Sequence, residues 1–80
     1  MKRVTLYTRS GCHLCEEAKK VLDGARVRMT FELEVLDIDR DPELLRLYNE
    51  EVPVIAIDGV KAFKYRLSEP ELLKKLEARR

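Results

Sequence analysis

The sequence predicts an α/β protein in which strands and helices follow in the order β-α-β-α-β-β-α. Short runs of β-branched and aromatic residues alternate with stretches whose apolar residues recur at helical spacing. The first two strands are joined through a helix, which favours a parallel pair with a right-handed crossover. The last two are joined by Asp58-Gly59, a turn sequence that favours an antiparallel hairpin. A four-stranded mixed sheet with helices on both faces satisfies both arrangements.

The first half of the chain is predicted to form a strand, a helix and a second strand. Residues 4–8, "VTLYT", are typical of a strand, which "RSG" ends. Apolar residues then recur at helical spacing, and Gly24 is expected to fray the end of this helix. Residues 30–38 alternate apolar with polar side chains, as in a strand with one wetter face. The apolar positions are Leu14, Ala18, Val21, Leu22 and Ala25 in the helix, and Phe31, Leu33 and Val35 in the strand.

The second half is predicted to add a short helix, a hairpin and a last helix. Asp41 is suited to cap a helix, and Pro42 to occupy its first position. Residues 52–57 form an apolar strand, and residues 60–66 return as the fourth strand. Ser68-Glu69-Pro70-Glu71 has the spacing of a capping box. Val60 and Ala62 alternate with Lys61 and Lys64 in the fourth strand, and the helices have the apolar stripes Leu44, Leu45 and Tyr48, and Leu72, Leu73 and Leu76.

Length and composition limit the class of protein. We expect residues 1–80 to fold as a single domain. The chain is 45% hydrophobic and 39% charged, which is too apolar for a disordered chain and too charged for a membrane protein. It has neither a run of ~18 apolar residues nor a signal-peptide pattern. Its 16 basic and 15 acidic residues are mixed along the sequence, whereas a surface that binds nucleic acid has clustered basic residues. We therefore expect a cytoplasmic monomer that binds neither nucleic acid nor membrane.

The chemistry is concentrated in the only two cysteines, Cys12 and Cys15, at the turn from the first strand to the first helix. Two cysteines are too few for a disulfide-stapled scaffold. Near a helix N-terminus, unpaired N–H groups and the helix dipole lower a thiol pKa from about 8.5 towards neutrality. Because residues three apart share a helix face, the two sulfurs are placed to form a disulfide.

This placement predicts a role for each residue of the turn. Cys12, at the exposed end, is the predicted attacking thiolate, and Cys15, deeper in the helix, the resolving thiol. Arg9 and His13 add positive charge nearby. Gly11 lets the backbone turn tightly and leaves room for a substrate sulfur.

Two other interpretations of the cysteine pair stay open. The pair can be half of a zinc or iron–sulfur site, but such a site takes four ligands and the chain offers only His13 as a further strong one. Two chains would then have to share the metal. Haem attachment would need a histidine after Cys15, where Glu16 stands. In the remaining interpretation both cysteines are inert and buried. We expect a redox dithiol and no bound metal.

The sequence resembles the thioredoxin superfamily, and specifically a small glutaredoxin-like protein. The resemblance rests on "TRSGCHLC" at 8–15, "EVPVI" at 51–55 and the order of elements across nearly the whole chain. It implies the thioredoxin fold and a cis peptide bond between Val52 and Pro53 beside the dithiol. It also implies that the main chain of Val52 holds an extended substrate like an added strand, and that Pro53 keeps metals from the sulfurs.

The same resemblance supports only part of a glutathione pocket. Arg9 matches the basic residue that meets the glycine carboxylate of glutathione, and Val52 matches the backbone clamp. Glutaredoxins usually carry Pro-Tyr between the cysteines, where this chain has His13-Leu14. They also carry Gly-Gly and an Asp or Asn after the fourth strand, where amides hold the γ-glutamyl group. Here residues 63–71, "FKYRLSEPE", contain no glycine, and Ser68 is the nearest candidate.

The predicted function is the reduction of protein disulfides or glutathione-mixed disulfides by a thiol–disulfide oxidoreductase. Cys12 forms a mixed disulfide with the substrate, and Cys15 releases it. The resulting disulfide is reduced again by glutathione as co-substrate or by a thioredoxin-type reductase, and no cofactor is expected to be bound. The resemblance implies a part in electron transport and cell redox homeostasis. The alternative is a non-enzymatic module that binds a metal, or a peptide in the Val52-Pro53 groove.

Overall fold

The structure, a computed structural model, describes residues 2–49 and 51–77 and confirms the predicted order of elements. The strands are β1 (Arg3–Thr8), β2 (Glu32–Asp37), β3 (Val54–Ile57) and β4 (Val60–Lys64). The helices are α1 (His13–Arg28), α2 (Pro42–Tyr48) and α3 (Glu69–Glu77), and a 3₁₀ turn at Ile38–Arg40 joins β2 to α2. None of the helices in the described ranges has the length and apolar character needed to span a membrane.

The strands form one mixed four-stranded sheet in the order β2-β1-β3-β4. β1 pairs in parallel with β2, up to Thr8 opposite Asp37, and in antiparallel with β3. The hairpin turn between β3 and β4 has φ values of 52° at Asp58 and 85° at Gly59, as the predicted type I′ turn requires. The loop after Thr8, which carries the cysteines, therefore starts at the end of a central strand.

Helices cover both faces of the sheet, as predicted. Val4 and Leu6 of β1 lie in one buried cluster with residues of α1 and α3. Tyr7 points to the opposite face, because side chains alternate along a strand. There its ring lies 4.7 Å, centroid to centroid, from the ring of Tyr48 in α2. The cluster under α1 and α3 comprises Val4, Leu6, Ala18, Leu22, Ala25, Phe31, Ile55, Leu72 and Leu76.

The first helix corrects the prediction about Gly24, because α1 continues through this residue to Arg28. Glycine is a poor helix former, which is why the sequence suggested a frayed end. Leu22 and Ala25 on either side of it are completely buried against the sheet. Tertiary packing therefore outweighs the local preference of one glycine.

Gly24→Ala is expected to stabilise the protein by about 0.5–1 kcal/mol, because alanine is the better helix former by that amount. A Cβ here would lie 3.3 Å from Glu69 Oε1, which is the far end of a flexible side chain. Urea unfolding of both proteins measures the change. A lower midpoint for the variant would contradict the prediction. It would show that the 2.8 Å ion pair with Arg28 prevents the Glu69 side chain from moving away from the new Cβ.

Two strands begin or end inside their predicted limits. β2 spans Glu32–Asp37 instead of 30–38. The Asp37 carboxylate accepts the N–H of Asp39 at 2.9 Å, which starts the 3₁₀ turn and ends the strand. β3 begins at Val54, two residues later than predicted.

The fourth strand also differs from the prediction in its end and its alternation. It ends at Lys64 instead of Arg66. The register with β3 is irregular between Ile55 and Ala56, and the extra residue breaks the alternation of inward and outward side chains. Val60 is 70% exposed, although the sequence placed it on the apolar side of the strand, and β4 lies at the edge of the sheet.

The helix caps follow the predicted residues in part. The Asp41 side chain accepts the N–H of Glu43 at 2.9 Å, and Pro42 opens α2. No residue of α2 is fully buried, so its apolar stripe is half-buried where a buried one was expected. Before α3, the Ser68 hydroxyl donates to Glu71 Oε1 at 3.0 Å, which joins the two side chains of the predicted capping box directly.

Asp58→Asn is expected to reduce stability at neutral pH and to have less effect in acid. The Asp58 carboxylate accepts the N–H of Arg3 at 2.9 Å, and this hydrogen bond is the main cause that lowers the pKa of Asp58. Such a group stabilises the fold above its unfolded pKa of about 3.9, and the contribution is lost as pH falls through the lower folded-state pKa. Urea unfolding at about pH 7 and about pH 3 measures the difference, and an equal difference at both pH values would contradict the prediction.

Candidate active site

Cys12 and Cys15 meet at the N-terminus of α1, where they are joined as a disulfide with Cα atoms 5.2 Å apart. Cys12 is the N-cap of α1, one residue before the helix, and its Sγ accepts the N–H of Cys15 at 3.1 Å. Cys12 is half-buried, whereas Cys15 is 3% exposed. A reactant from solvent therefore reaches the Cys12 sulfur first, and that sulfur lies against a helix N–H donor.

Gly11 makes the tight turn that presents Cys12. Its φ is 77°, in the left-handed region where other residues are strained, and the Cys12 N–H donates to the Arg9 carbonyl at 3.3 Å. A Cβ added to Gly11 would have no atom within 4 Å. Glycine is thus required here by the backbone conformation rather than by a close neighbour. Its predicted second role, leaving room for a substrate sulfur, stays a prediction.

Arg9 is bound to two neighbouring segments of the protein. Its Nη2 donates to Asp39 Oδ1 at 2.8 Å. Its Nη1 donates to the carbonyl and the side-chain oxygen of Asn49 at 3.0 and 2.9 Å. The Arg9 and Asp39 side chains are 33% and 39% exposed, so the ion pair is partly shielded from water. We refer to Arg9, Asp39 and Asn49 as the Arg9 cluster.

Asp39 and Asn49 were not among the site residues predicted from the sequence. A signal for Asp39 was present, because parallel pairing of the first two strands puts Thr8 opposite Asp37. Arg9 follows Thr8, and Asp39 follows closely after Asp37, so both side chains start from the same end of the sheet. Asn49, after α2, gave no comparable signal in the sequence.

The side chain of His13 contacts Glu17 rather than the cysteine sulfurs. Its side chain is 83% exposed, and its Nε2 lies 3.4 Å from Glu17 Oε2, one turn further along α1. A protonated His13 would thus face a carboxylate. Its predicted influence on the Cys12 thiolate stays a prediction.

The Val52–Pro53 peptide bond is cis, as the resemblance implied. The next residue, Val54, pairs with Tyr7, so this bond lies at the end of the sheet where β1 leads into the cysteine loop. Within residues 2–49 and 51–77, the main-chain N–H and C=O of Val52 have no hydrogen-bond partner. Glu51 accepts a hydrogen bond of 3.0 Å from Lys61, which is the main cause that lowers the pKa of Glu51.

The turn after β4 is bonded to the Val52–Pro53 segment. Tyr65 has a φ of 70°, and its N–H donates to the Pro53 carbonyl at 2.8 Å. The Arg66 N–H donates to the Lys64 carbonyl at 2.8 Å, which closes a three-residue γ-turn centred on Tyr65. A left-handed conformation is strained for a residue other than glycine. Both amides of this turn already have acceptors inside the protein.

A groove of about 590 Å³ lies beside the cysteines, between α1 and the edge strand β2. Val35 of β2 forms part of its wall and is 45% exposed, although the sequence placed it on the apolar face of its strand. The difference follows from position, since β2 is at the edge of the sheet. We call this the cysteine groove; its lining comprises Leu6, Thr8, Arg9, Ser10, Gly11, Cys12, Cys15, Glu16, Lys19, Lys20 and Val35.

The chemistry available here is that of a dithiol and its disulfide. Among the described residues, no group of three or more His, Cys, Asp and Glu side chains is arranged to hold a metal ion. A cysteine pair at the first turn of α1 and a cis proline before β3, on a four-stranded mixed sheet, define a protein of the thioredoxin fold with a redox-capable cysteine pair.

The chain belongs to the glutaredoxin-like proteins: the Glutaredoxin-like domain family (DUF836) matches residues 3–77. A glutaredoxin-like protein of Dictyostelium discoideum, the YDR286C homolog, is 32% identical over 92% of this chain and 74% of its own. Protein Ne2328 of Nitrosomonas europaea shares the fold with a TM-score of 0.80 and 36% identity, over 92% of this chain and 89% of its own.

NrdH-redoxin of Escherichia coli has a similar fold, with a TM-score of 0.68 and 23% identity over 98% of this chain and 99% of its own. The resemblance inferred from the motifs and the predicted fold are thereby confirmed. Family and cysteine pair together support a redox role in general.

Proposed function

We propose that this protein is a thiol–disulfide oxidoreductase in which Cys12 attacks and Cys15 resolves. The observation that carries the proposal is the position of the Cys12 sulfur, which belongs to a half-buried residue, caps α1 and accepts the N–H of Cys15 at 3.1 Å. In the reduced protein we expect the same N–H and the helix dipole to stabilise a Cys12 thiolate. Cys15, behind it and 3% exposed, is sheltered from external disulfides.

The proposed reaction consists of two sulfur exchanges. The Cys12 thiolate attacks one sulfur of a substrate disulfide, and the other substrate sulfur leaves as a thiolate and takes up a proton. The Cys15 thiol, after losing its proton, attacks the Cys12 Sγ and breaks the mixed disulfide. The substrate thereby gains two electrons and, in sum, two protons, while the protein ends as the Cys12–Cys15 disulfide that the structure shows.

Val52 is the proposed contact for the substrate chain. Its main-chain N–H and C=O have no partner in the described part of the protein, so an extended segment can pair with them as a strand pairs at a sheet edge. Pro53, next in the chain, accepts the N–H of Tyr65 and is thereby attached to the turn after β4. The proposed substrates are disulfides of proteins or mixed disulfides of glutathione.

The proposal includes a reductant and a cellular setting. Glutathione, or a thioredoxin-type reductase, reduces the Cys12–Cys15 disulfide and completes the cycle. The expected setting is the cytoplasm, where a protein of this kind would take part in redox homeostasis. The dithiol itself carries the electrons, so the proposed cycle requires no bound cofactor.

A redox titration of the purified protein in glutathione buffers tests the proposal. Samples are quenched in acid and weighed intact by mass spectrometry. We expect a reversible loss of two hydrogens in the wild-type protein, and a glutathione adduct that accumulates in Cys15→Ser. If neither sulfur reacts with glutathione or with any other disulfide, the oxidoreductase assignment is wrong.

A further inference from the structure

The charges around Cys12 are balanced one by one. Arg9 is paired with Asp39 at 2.8 Å, and Lys19 with Asp23 at 3.2 Å. The two remaining charged residues of the cysteine groove, Glu16 and Lys20, have opposite charges and lie one helical turn apart on α1. Their contributions to the electrostatic potential in the groove therefore partly cancel. The groove therefore presents little net charge to an arriving disulfide.

Arg9 is the charge closest to Cys12 along the chain, and its neutralisation is built into the fold. Asp39 is fixed by the 3₁₀ turn, where its own N–H donates to Asp37 Oδ1 at 2.9 Å. Asn49 ends α2 and accepts two further hydrogen bonds from Arg9. To bind Arg9, a carboxylate of a ligand would have to displace Asp39. About two thirds of the surface of each of these two side chains is already buried.

Two main-chain donors in the turn after β4 are occupied as well. The N–H of Tyr65 bonds to the Pro53 carbonyl, and the N–H of Arg66 bonds to the Lys64 carbonyl. Apolar and main-chain groups remain available: Val35 is 45% exposed and Tyr65 43% exposed, and in the described part of the chain the N–H and C=O of Val52 have no partner. These contacts suit an uncharged polypeptide segment better than a small anion.

We propose that Asp39 is a positioning residue which, by holding and neutralising Arg9, makes this site select disulfides carried by polypeptides over the anionic disulfide of glutathione. The inference rests on the proposed thiol–disulfide exchange, whose steps it leaves unchanged. It adds that the substrate is recognised by strand pairing and apolar contact, while its charge contributes little.

The test compares two disulfides in single-turnover reactions with the reduced protein. One is oxidised glutathione, whose carboxylates outnumber its ammonium groups, and the other is a capped, uncharged peptide disulfide with apolar residues beside the cysteine. For the wild-type protein we expect the peptide to react at least about tenfold faster. We expect the rate with glutathione disulfide to depend only weakly on salt.

Asp39→Asn unmasks the charge of Arg9 while it keeps an oxygen that can accept its hydrogen bond. We expect the ratio of the glutathione rate to the peptide rate to rise at least about threefold at low salt and to return as salt is added. The uncharged peptide corrects for any change in the thiolate population of Cys12, which affects both reagents alike. A loss of folding alone would lower both rates and leave the ratio unchanged.

Glu69→Gln is the matched control, because it removes one carboxylate from the ion pair with Arg28 at the other end of α1. That end lies roughly 20 Å away along a helix of this length, so the ratio should stay within about twofold of the wild-type value. A wild-type preference for glutathione disulfide that falls with salt would overturn the inference, as would an unchanged ratio in an Asp39→Asn protein that keeps the wild-type rate with the peptide. If neither disulfide reacts at all, the proposed function itself is wrong.

Discussion

Cys12→Ser is expected to reduce the rate of disulfide reduction by at least about a thousandfold, because a serine hydroxyl at this position does not ionise near neutral pH and cannot replace the thiolate. The measurement is the reduction of a disulfide-bonded protein such as insulin, with dithiothreitol as reductant and its uncatalysed rate subtracted. The effect is expected to be large because Cys12 is half-buried and is the proposed point of attack, whereas Cys15 is 3% exposed.

Cys15→Ser separates attack from resolution. This variant is expected to form the mixed disulfide at a rate similar to that of the wild-type protein and then to accumulate it, since no second thiol breaks the bond to Cys12. Val27→Ser is the matched control, because its side chain on the same helix is 87% exposed. Full activity in Cys12→Ser together with loss of activity in Cys15→Ser would reverse the assigned roles.

Leu22→Ala is expected to lower the free energy of unfolding by about 2–5 kcal/mol, the usual effect of removing a leucine from a packed core. Leu22 is completely buried and belongs to the cluster that joins α1 and α3 to β1. For a domain of this length, total stability is of order 4–12 kcal/mol. The variant therefore loses a large part of it.

Urea unfolding under reducing conditions measures this effect without the Cys12–Cys15 cross-link. The midpoint should fall while the dependence on urea stays the same. Leu47→Ala provides the matched control, since it deletes the same atoms from a side chain that is 52% exposed. Equal losses in the two variants would contradict the position of α1 over the core.

Much of the fold could be predicted because local patterns and pairing rules agree. Asp58-Gly59 marks a hairpin and Asp41-Pro42 a helix start, and both features are found where their chemistry requires them. Gly24 shows the limit of such reasoning, because a local preference for ending a helix is outweighed by buried neighbours. Val35 and Val60 show another limit: exposure depends on which strands lie at the edge, and alternation alone does not contain that information.

The candidate site was predictable where one segment contains all its parts. The cysteine pair and Gly11 lie within a few residues of each other, and the sequence places them at the start of a helix. The partners of Arg9 come from two other segments, and their contact exists only after the sheet and α2 have formed. From the sequence, Arg9 was expected to add positive charge near Cys12 and to meet a ligand carboxylate, whereas in the structure it is paired with Asp39 and Asn49.

The central position of β1 has a consequence for the order of events during synthesis. β1 is made before β3, yet the two strands pair and join Val4 to Ile57, so the sheet cannot be completed until β3 and β4 have been made. Contacts between residues so distant in sequence close a long loop and are therefore slow to form. During that interval Cys12 and Cys15 belong to a chain without its finished sheet, and both thiols meet the surrounding redox buffer before Cys15 is buried.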